Sequence, residues 1–207
     1  MGAENTHAVL SNLKAGLQSD KPELSRASVF IPLVQGSNGP EILFEVRALH
    51  LKRQPGEVCL PGGHIEQGES AHDAAIRETC EELLVERGQI GETVDMGRID
   101  GPGGMPLRIF AGELEGYTGS FDPEEVDSTF TVPLIWFMEH EPAVYRGRLV
   151  LQPPDNLPWE LIPGGQAYPW HTRVHEIPFY EGTNPVIWGF TARVIRLFMQ
   201  TLEQSTS

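Results

Sequence analysis

One segment constrains the fold of this 207-residue chain more than any other. It is a glycine pair, Gly62-Gly63, followed within seven residues by SAHDAAIRETCEELLV, residues 70–85. Pro61 and the two glycines break regular structure, so the chain turns there. Ser70 then offers a side-chain cap with Asp73 three residues on, and the pattern predicts a helix from about Ser70 to about Leu84. At about 100° per residue, Glu82 lies some 40° from Glu78 and Glu81 some 60° away on its other side, so the three share one face. Ile76, Cys80, Leu83 and Leu84 fall on the opposite face and predict docking of that side onto a sheet.

The acids are concentrated here. Between Glu66 and Glu86 seven acids (Glu66, Glu69, Asp73, Glu78, Glu81, Glu82, Glu86) stand against one base, Arg77, giving −6 of a total net charge of −14. Glutamates three or four positions apart sit about 5–6 Å from one another and repel by roughly 3 kcal/mol at an effective dielectric near 20. Two readings follow. A solvated face leaves the repulsion to water and salt; a cleft relieves it with a hard divalent cation, Mg²⁺ or Mn²⁺, which takes carboxylate oxygens and shares its other positions with water and phosphates.

Composition narrows the class around that segment. Hydrophobic residues at 40% and charged residues at 21% describe a globular chain. No apolar run approaches the roughly 20 residues of a membrane-spanning helix. The start, MGAENTHAVLSNLK, has no basic stretch leading into an apolar one, so no signal peptide is expected. Two cysteines, Cys59 and Cys80, are too few for a disulfide scaffold and read as cytoplasmic. A pI near 4.8 excludes the basic surface of a nucleic-acid coat. The expected partners therefore include no nucleic acid and no membrane; a homodimer is compatible with the sequence.

Along the chain, a leading helix is expected at 5–19, where Val9, Leu10, Leu13 and Leu17 recur at helical spacing. Strands are expected at 28–34 and 41–48 around the turn SNGP, then a short one in EVCL (57–60). Others are expected at 94–100, 107–114, 128–134 and 143–151. A C-terminal helix is expected from Ile187 to Leu202, and the Pro- and Gly-rich 152–171 reads as an ordered insertion loop. No 20–50-residue repeat is present, which points to one α/β or α+β domain over 1–207. His50, His64, His72 and His175 lack zinc-ligand spacing and read as surface or supporting residues.

Written as a pattern, the segment is Gly63, five residues, Glu69, seven residues, Arg77-Glu78-Thr79, one residue, Glu81-Glu82. This resembles the Nudix hydrolase box, G-x5-E-x7-R-E-U-x-E-E-x-G-U, where U is bulky and apolar. Two positions depart from it. Thr79 stands at the first U, and Leu84 replaces the final glycine, with Gly88 the next one available, which leaves open whether the helix ends near Leu84 or runs on before turning. The resemblance implies an α/β/α sandwich with a mixed central sheet and hydrolysis of a nucleoside-linked pyrophosphate with Mg²⁺ or Mn²⁺. By position, Glu78 and Glu82 would be the principal metal ligands, Glu81 would join them and Gly62 would offer a backbone carbonyl. Arg77 would orient the glutamates, or simply pair with Glu81 one turn on, and Glu69 would brace the loop. FDPEEVDSTFTVPL resembles a second family segment, which makes Glu125 the candidate general base; a solvated turn is the alternative.

Ahead of the box, LFEVRALHLKRQPGEVCLPGGHIE (43–66) resembles the signature of the coenzyme A pyrophosphatase branch, L-L-T-x-R-S-x3-R-x3-G-x-V-x-F-P-G-G-x-x-D. Leu43, Arg47, Gly56, Val58, Pro61, Gly62 and Gly63 match. Lys52 or Arg53 stands for the second arginine, and Ala48, Leu60 and Glu66 depart. The tail VHEIPFYEGTNPVIWGFTARVIRLF is similar to the same branch. The resemblance implies cleavage of coenzyme A or its acyl esters to 3′,5′-ADP and 4′-phosphopantetheine. Arg47, Lys52 and Arg53 beside Gly62 and Gly63 would bind that anionic nucleotide, Arg47 and its neighbours meeting the ribose 3′-phosphate. A Nudix hydrolase for ADP-ribose or a dinucleotide, and a module that binds a nucleotide without cleaving it, are the other readings.

Overall fold

The computed structural model describes residues 5–16 and 25–206. Strand β1 (Ala27–Gly36) is the axis of the molecule. Its residues from Ala27 to Leu33 are buried on both faces, which is why the strand reads as a continuous apolar run and not as an alternation. Val29, Ile31 and Leu33 point into the main core, whereas Phe30 points the other way, against Ala75 and Ile76. β1 pairs antiparallel with β2 (Gly39–Arg47) and β4 (Gly62–His64), and parallel with β6 (Pro106–Leu114). β3 (Val58–Cys59) and β7 (Val126–Pro133) extend it beside β2, and β5 (Ile90–Asp100) beside β6, making a mixed sheet. Pro32 sits where the pairing of β1 changes from β4 to β2, so neither ladder requires its missing N–H.

Helix α2 (Ala71–Leu83) covers one face of this sheet. Helices α1 (Thr6–Gly16) and α4 (Gly189–Thr206) pack together over the other, with Val9, Leu10, Leu13, Ile195 and Phe198 fully buried between layers. The result is the expected α/β/α sandwich. Of the expected leading helix, residues 17–19 lie outside the described residues. Among the described residues no helix is long and apolar enough to cross a membrane.

Several elements differ from expectation. Helix α3 (Leu134–Glu139) directly follows β7; six apolar-rich residues are too few to show a helical period, and only Leu134 of it falls within the strand expected at 128–134. Strand β9 (Arg173–Tyr180) joins β8 (Ala143–Leu149) and β10 (Ile187–Trp188) in a small antiparallel sheet. Its Pro178 masks the strand pattern in the sequence. Ile187 and Trp188 belong to β10, so the C-terminal helix begins only at Gly189. Residues 152–171 carry two short 3₁₀ turns and no strand.

Candidate active site

The site forms where β4, β3 and the end of β2 meet α2. Ser70 caps the helix as the sequence predicts: its Oγ accepts from the Asp73 N–H at 3.0 Å and donates to the Asp73 carboxylate at 2.7 Å. The two glycines are required by close approach. A Cβ on Gly62, whose φ is +151°, would sit 2.3 Å from the Ser28 carbonyl, and one on Gly63 would sit 2.3 Å from Glu78 Oε1. Gly62 and Gly63, expected as loop, form strand β4, and the lack of both side chains lets β4 lie against β1 and the Glu78 carboxylate lie against β4. Thr79 is no defect, since its buried hydroxyl donates to Ala75 O at 2.7 Å.

The helix ends where the pattern places it, at about Leu84: α2 stops at Leu83 without running on toward Gly88, and Leu84 adopts the left-handed conformation itself (φ 50°, ψ 47°). Leu84 is also 58% exposed and so does not belong to the docking face. A leucine there takes the strained backbone that the box glycine would take freely. The helix's last carbonyls are met by a loop that leads to Glu125: Asp122 N–H donates to Glu82 O at 2.8 Å and Ser120 Oγ to Leu83 O at 2.8 Å.

The acidic face divides in two. On its outer side Arg77 is the hub. Its guanidinium donates to Glu69 at 3.0 and 3.2 Å, to Glu81 at 3.0 Å and to His64 O at 3.2 Å, and lies 3.1 Å from Glu78 Oε1. Those hydrogen bonds hold the Glu69 carboxyl below its ordinary value. Glu69 also accepts from Glu66 N–H at 3.1 Å, tying loop to helix. On the inner side Glu82 is 4% exposed, with its carboxylate accepting from Gly62 N–H at 2.9 Å. The amide of Gly62, and not its carbonyl, is thus what meets a box carboxylate. Burial, and then the charge of Glu45, push the Glu82 carboxyl upward; Glu78 and Glu125 add to the same repulsion. Burial also raises Glu78, against the pull of Arg77.

Glu45 was not among the residues singled out from the sequence. It lies on β2 opposite Cys59, 1% exposed, and burial raises its carboxyl. The Cys59 thiol donates to it at 3.7 Å, while burial pushes that thiol up. The signal was an acid inside the apolar strand EILFEV, where the branch signature carries threonine. Glu125 is exposed; its carbonyl accepts from Ala48 N–H at 2.9 Å, holding its loop beside Arg47. The charges of Arg47 and Glu125 both act on Glu45. Arg47 Nε donates to Arg53 O at 3.4 Å, and Lys52 and Arg53 are exposed on the same loop. Glu45, Glu78 and Glu125 thus all act on Glu82 through their charge, while Arg77 holds Glu81 and also touches Glu78. Among the described residues, no three His, Cys, Asp or Glu side chains already converge in metal-ligand geometry. A cleft of about 920 Å³ opens at the N-terminal end of α2, lined by Arg26, His72, Arg108 and Phe110 but by none of Glu45, Glu78, Glu82 and Glu125.

The NUDIX domain model matches residues 24–149, more than half of the chain. Nudix hydrolase 3 of Caenorhabditis elegans is 38% identical over 82 residues, 40% of this chain and 34% of that protein, so the chain spans about a third of that relative's length. Peroxisomal coenzyme A diphosphatase NUDT7 of Mus musculus is 26% identical over 205 residues, 98% of this chain and 81% of that protein. The uncharacterized Nudix hydrolase NudL of Escherichia coli (strain K12) is 27% identical over 198 residues, 90% of this chain and 91% of its own. With the loop–helix geometry and the family model covering the same residues, the chain belongs to the Nudix family of pyrophosphohydrolases.

Proposed function

We propose that the protein hydrolyses the pyrophosphate of coenzyme A or an acyl-coenzyme A to 3′,5′-ADP and 4′-phosphopantetheine, using Mg²⁺ or Mn²⁺. The observation that carries the metal requirement is a buried carboxylate group without a protein cation: Glu82 is 4% exposed beside Glu45, whose Oε1 is buried with no hydrogen-bond partner. All-oxygen donors of this kind fit a hard divalent ion. Glu78 and Glu82 would hold it, with Glu81 and the Gly62 carbonyl contributing at its margin. When bound, such an ion supplies Lewis acidity toward phosphate oxygens and lowers the pKa of water.

The chain's own residues do the rest. Arg77 fixes the rotamers of Glu78 and Glu81 through its short contacts with both. Glu125, on the loop clamped to the end of α2, takes the proton of the attacking water as its oxygen bonds to phosphorus and the bridging P–O bond breaks. Arg47, Lys52 and Arg53 bind the 3′-phosphate end. Support for the substrate comes from the 43–66 signature and from the near full-length similarity to the mouse protein named as a coenzyme A diphosphatase. Both cysteines are free thiols, in keeping with a reducing compartment such as the cytoplasm. The test is a panel of coenzyme A, ADP-ribose and NADH with Mg²⁺ and with Mn²⁺, products read by mass. Preferential release of 3′,5′-ADP is expected. A preference for ADP-ribose overturns the substrate, and nucleotide binding without cleavage overturns the reaction.

A further inference from the structure

Glu45 is the buried acid that the mechanism above does not use. It follows the buried Leu43 and Phe44 on strand β2 and is itself 1% exposed. Nothing in strand packing calls for a carboxylate there. Oε1 is buried and has no hydrogen-bond partner, and the other oxygen meets only the weak donor Cys59 Sγ at 3.7 Å. Among the described residues no Lys, Arg or His forms an ion pair with it; Arg47, two residues on, sends its Nε to Arg53 O, and its charge acts on Glu45 without a direct contact. A buried, unpaired carboxylate is among the costliest groups a core can hold, and persists where something external compensates it.

The position of Glu45 says what that partner is. Leu43, on the same face of β2, is buried against Leu83 of α2, the residue after Glu82, and Glu82 reaches Gly62 N–H at 2.9 Å, three residues after the Cys59 that pairs with Glu45. Strand β2 therefore presents an unsatisfied oxygen to the carboxylate that α2 presents from the other side. Resting on the divalent-metal reading of the site, we propose that Glu45 is a further ligand of the cation held by Glu78 and Glu82, supplied by strand β2 and not by the box. Ligands from a strand and a helix would clamp β2 to α2 when the ion binds, so binding adds stability as well as charge neutrality.

The experiment measures Mn²⁺ binding to the full-length, metal-free protein by the resonance of free Mn²⁺, with thermal melting alongside. Wild type, Glu45→Gln, Glu45→Thr and Glu82→Gln are compared. Expected are metal-free melting temperatures for both Glu45 variants at or above wild type, a Kd for Mn²⁺ raised roughly tenfold or more, and a smaller Mn²⁺-induced rise in melting temperature. If the glutamine variant misfolds, the threonine variant carries the measurement. Unchanged Mn²⁺ affinity in the folded Glu45 variants, with affinity lost in Glu82→Gln, overturns the role of Glu45 and leaves the wider metal reading standing. Wild type that binds no Mn²⁺, or Glu82→Gln that binds it as well as wild type, overturns both.

Discussion

Glu81 and Glu82 are adjacent in sequence and sit on one acidic helix, yet the molecule treats them in opposite ways. Glu81 has a side chain 58% exposed and an arginine 3.0 Å away; Glu82 is 4% exposed, with one backbone N–H and three acids around it. The outer half of the helix face is compensated by the protein itself: Arg77 gathers Glu69, Glu78 and Glu81 and thereby fastens loop to helix. The inner half is left with buried carboxyls that no protein cation pairs with. The difference separates charge that builds the scaffold from charge kept for a ligand, and net charge alone cannot make that distinction.

The comparison is broken most directly by exchanging the two acids in turn. Glu82→Gln should lower kcat by about a hundredfold or more while the fold persists, whereas Glu81→Gln should cost less than about tenfold; equal losses in steady-state kinetics would erase the distinction between the halves. Next in size is Arg77→Ala, which frees three carboxylates and the loop carbonyl of His64. It should destabilise the protein by about 2 kcal/mol in urea unfolding, and a silent substitution would mean the outer network is incidental.

A pH series in EDTA sharpens the inner half. Burial raises the Glu82 and Glu45 carboxyls above 4.5, and the charge of Glu45 adds to the rise at Glu82. Below that value folded and unfolded chains both hold the protons; above it the unfolded chain releases them first. The metal-free melting temperature should therefore fall as pH rises from about 5 to about 8. Mg²⁺ should flatten that slope, since a cation removes the cost of ionising the pair. Arg47→Ala should reduce kcat/KM for coenzyme A several-fold more than for 3′-dephospho-coenzyme A, roughly the worth of one charge-assisted contact; equal losses would remove Arg47 from 3′-phosphate recognition. The smallest effect is Leu84→Gly. Relief of the left-handed strain should outweigh the added flexibility of the unfolded chain and raise stability by up to about 1 kcal/mol.

Much of this was readable residue by residue. Ser70 and Asp73 announced the helix start, the glycine pair announced a break in regular structure before it, and the spacing of Glu69, Arg77, Glu78, Glu81 and Glu82 resembled the family box whose arginine gathers those acids. Local chemistry was less decisive elsewhere. Leu84 carried a glycine's task because the loop from Tyr117 to Asp122 ties down the helix end from outside, a contact with no local trace. α3 was too short to show a period, and Pro178 hid β9.

By itself the sequence determined the acidic helix, the loop before it and the identity of the groups they carry, because capping, periodicity and glycine sterics act within a few residues. Only the tertiary structure decided which of those groups is buried and which strand faces them. Burial depends on what packs on top, and Glu45 becomes part of the site because β2 lies beside β3 and across from α2. Thirty-seven positions separate it from Glu82 in the chain, and no rule of local spacing spans that distance.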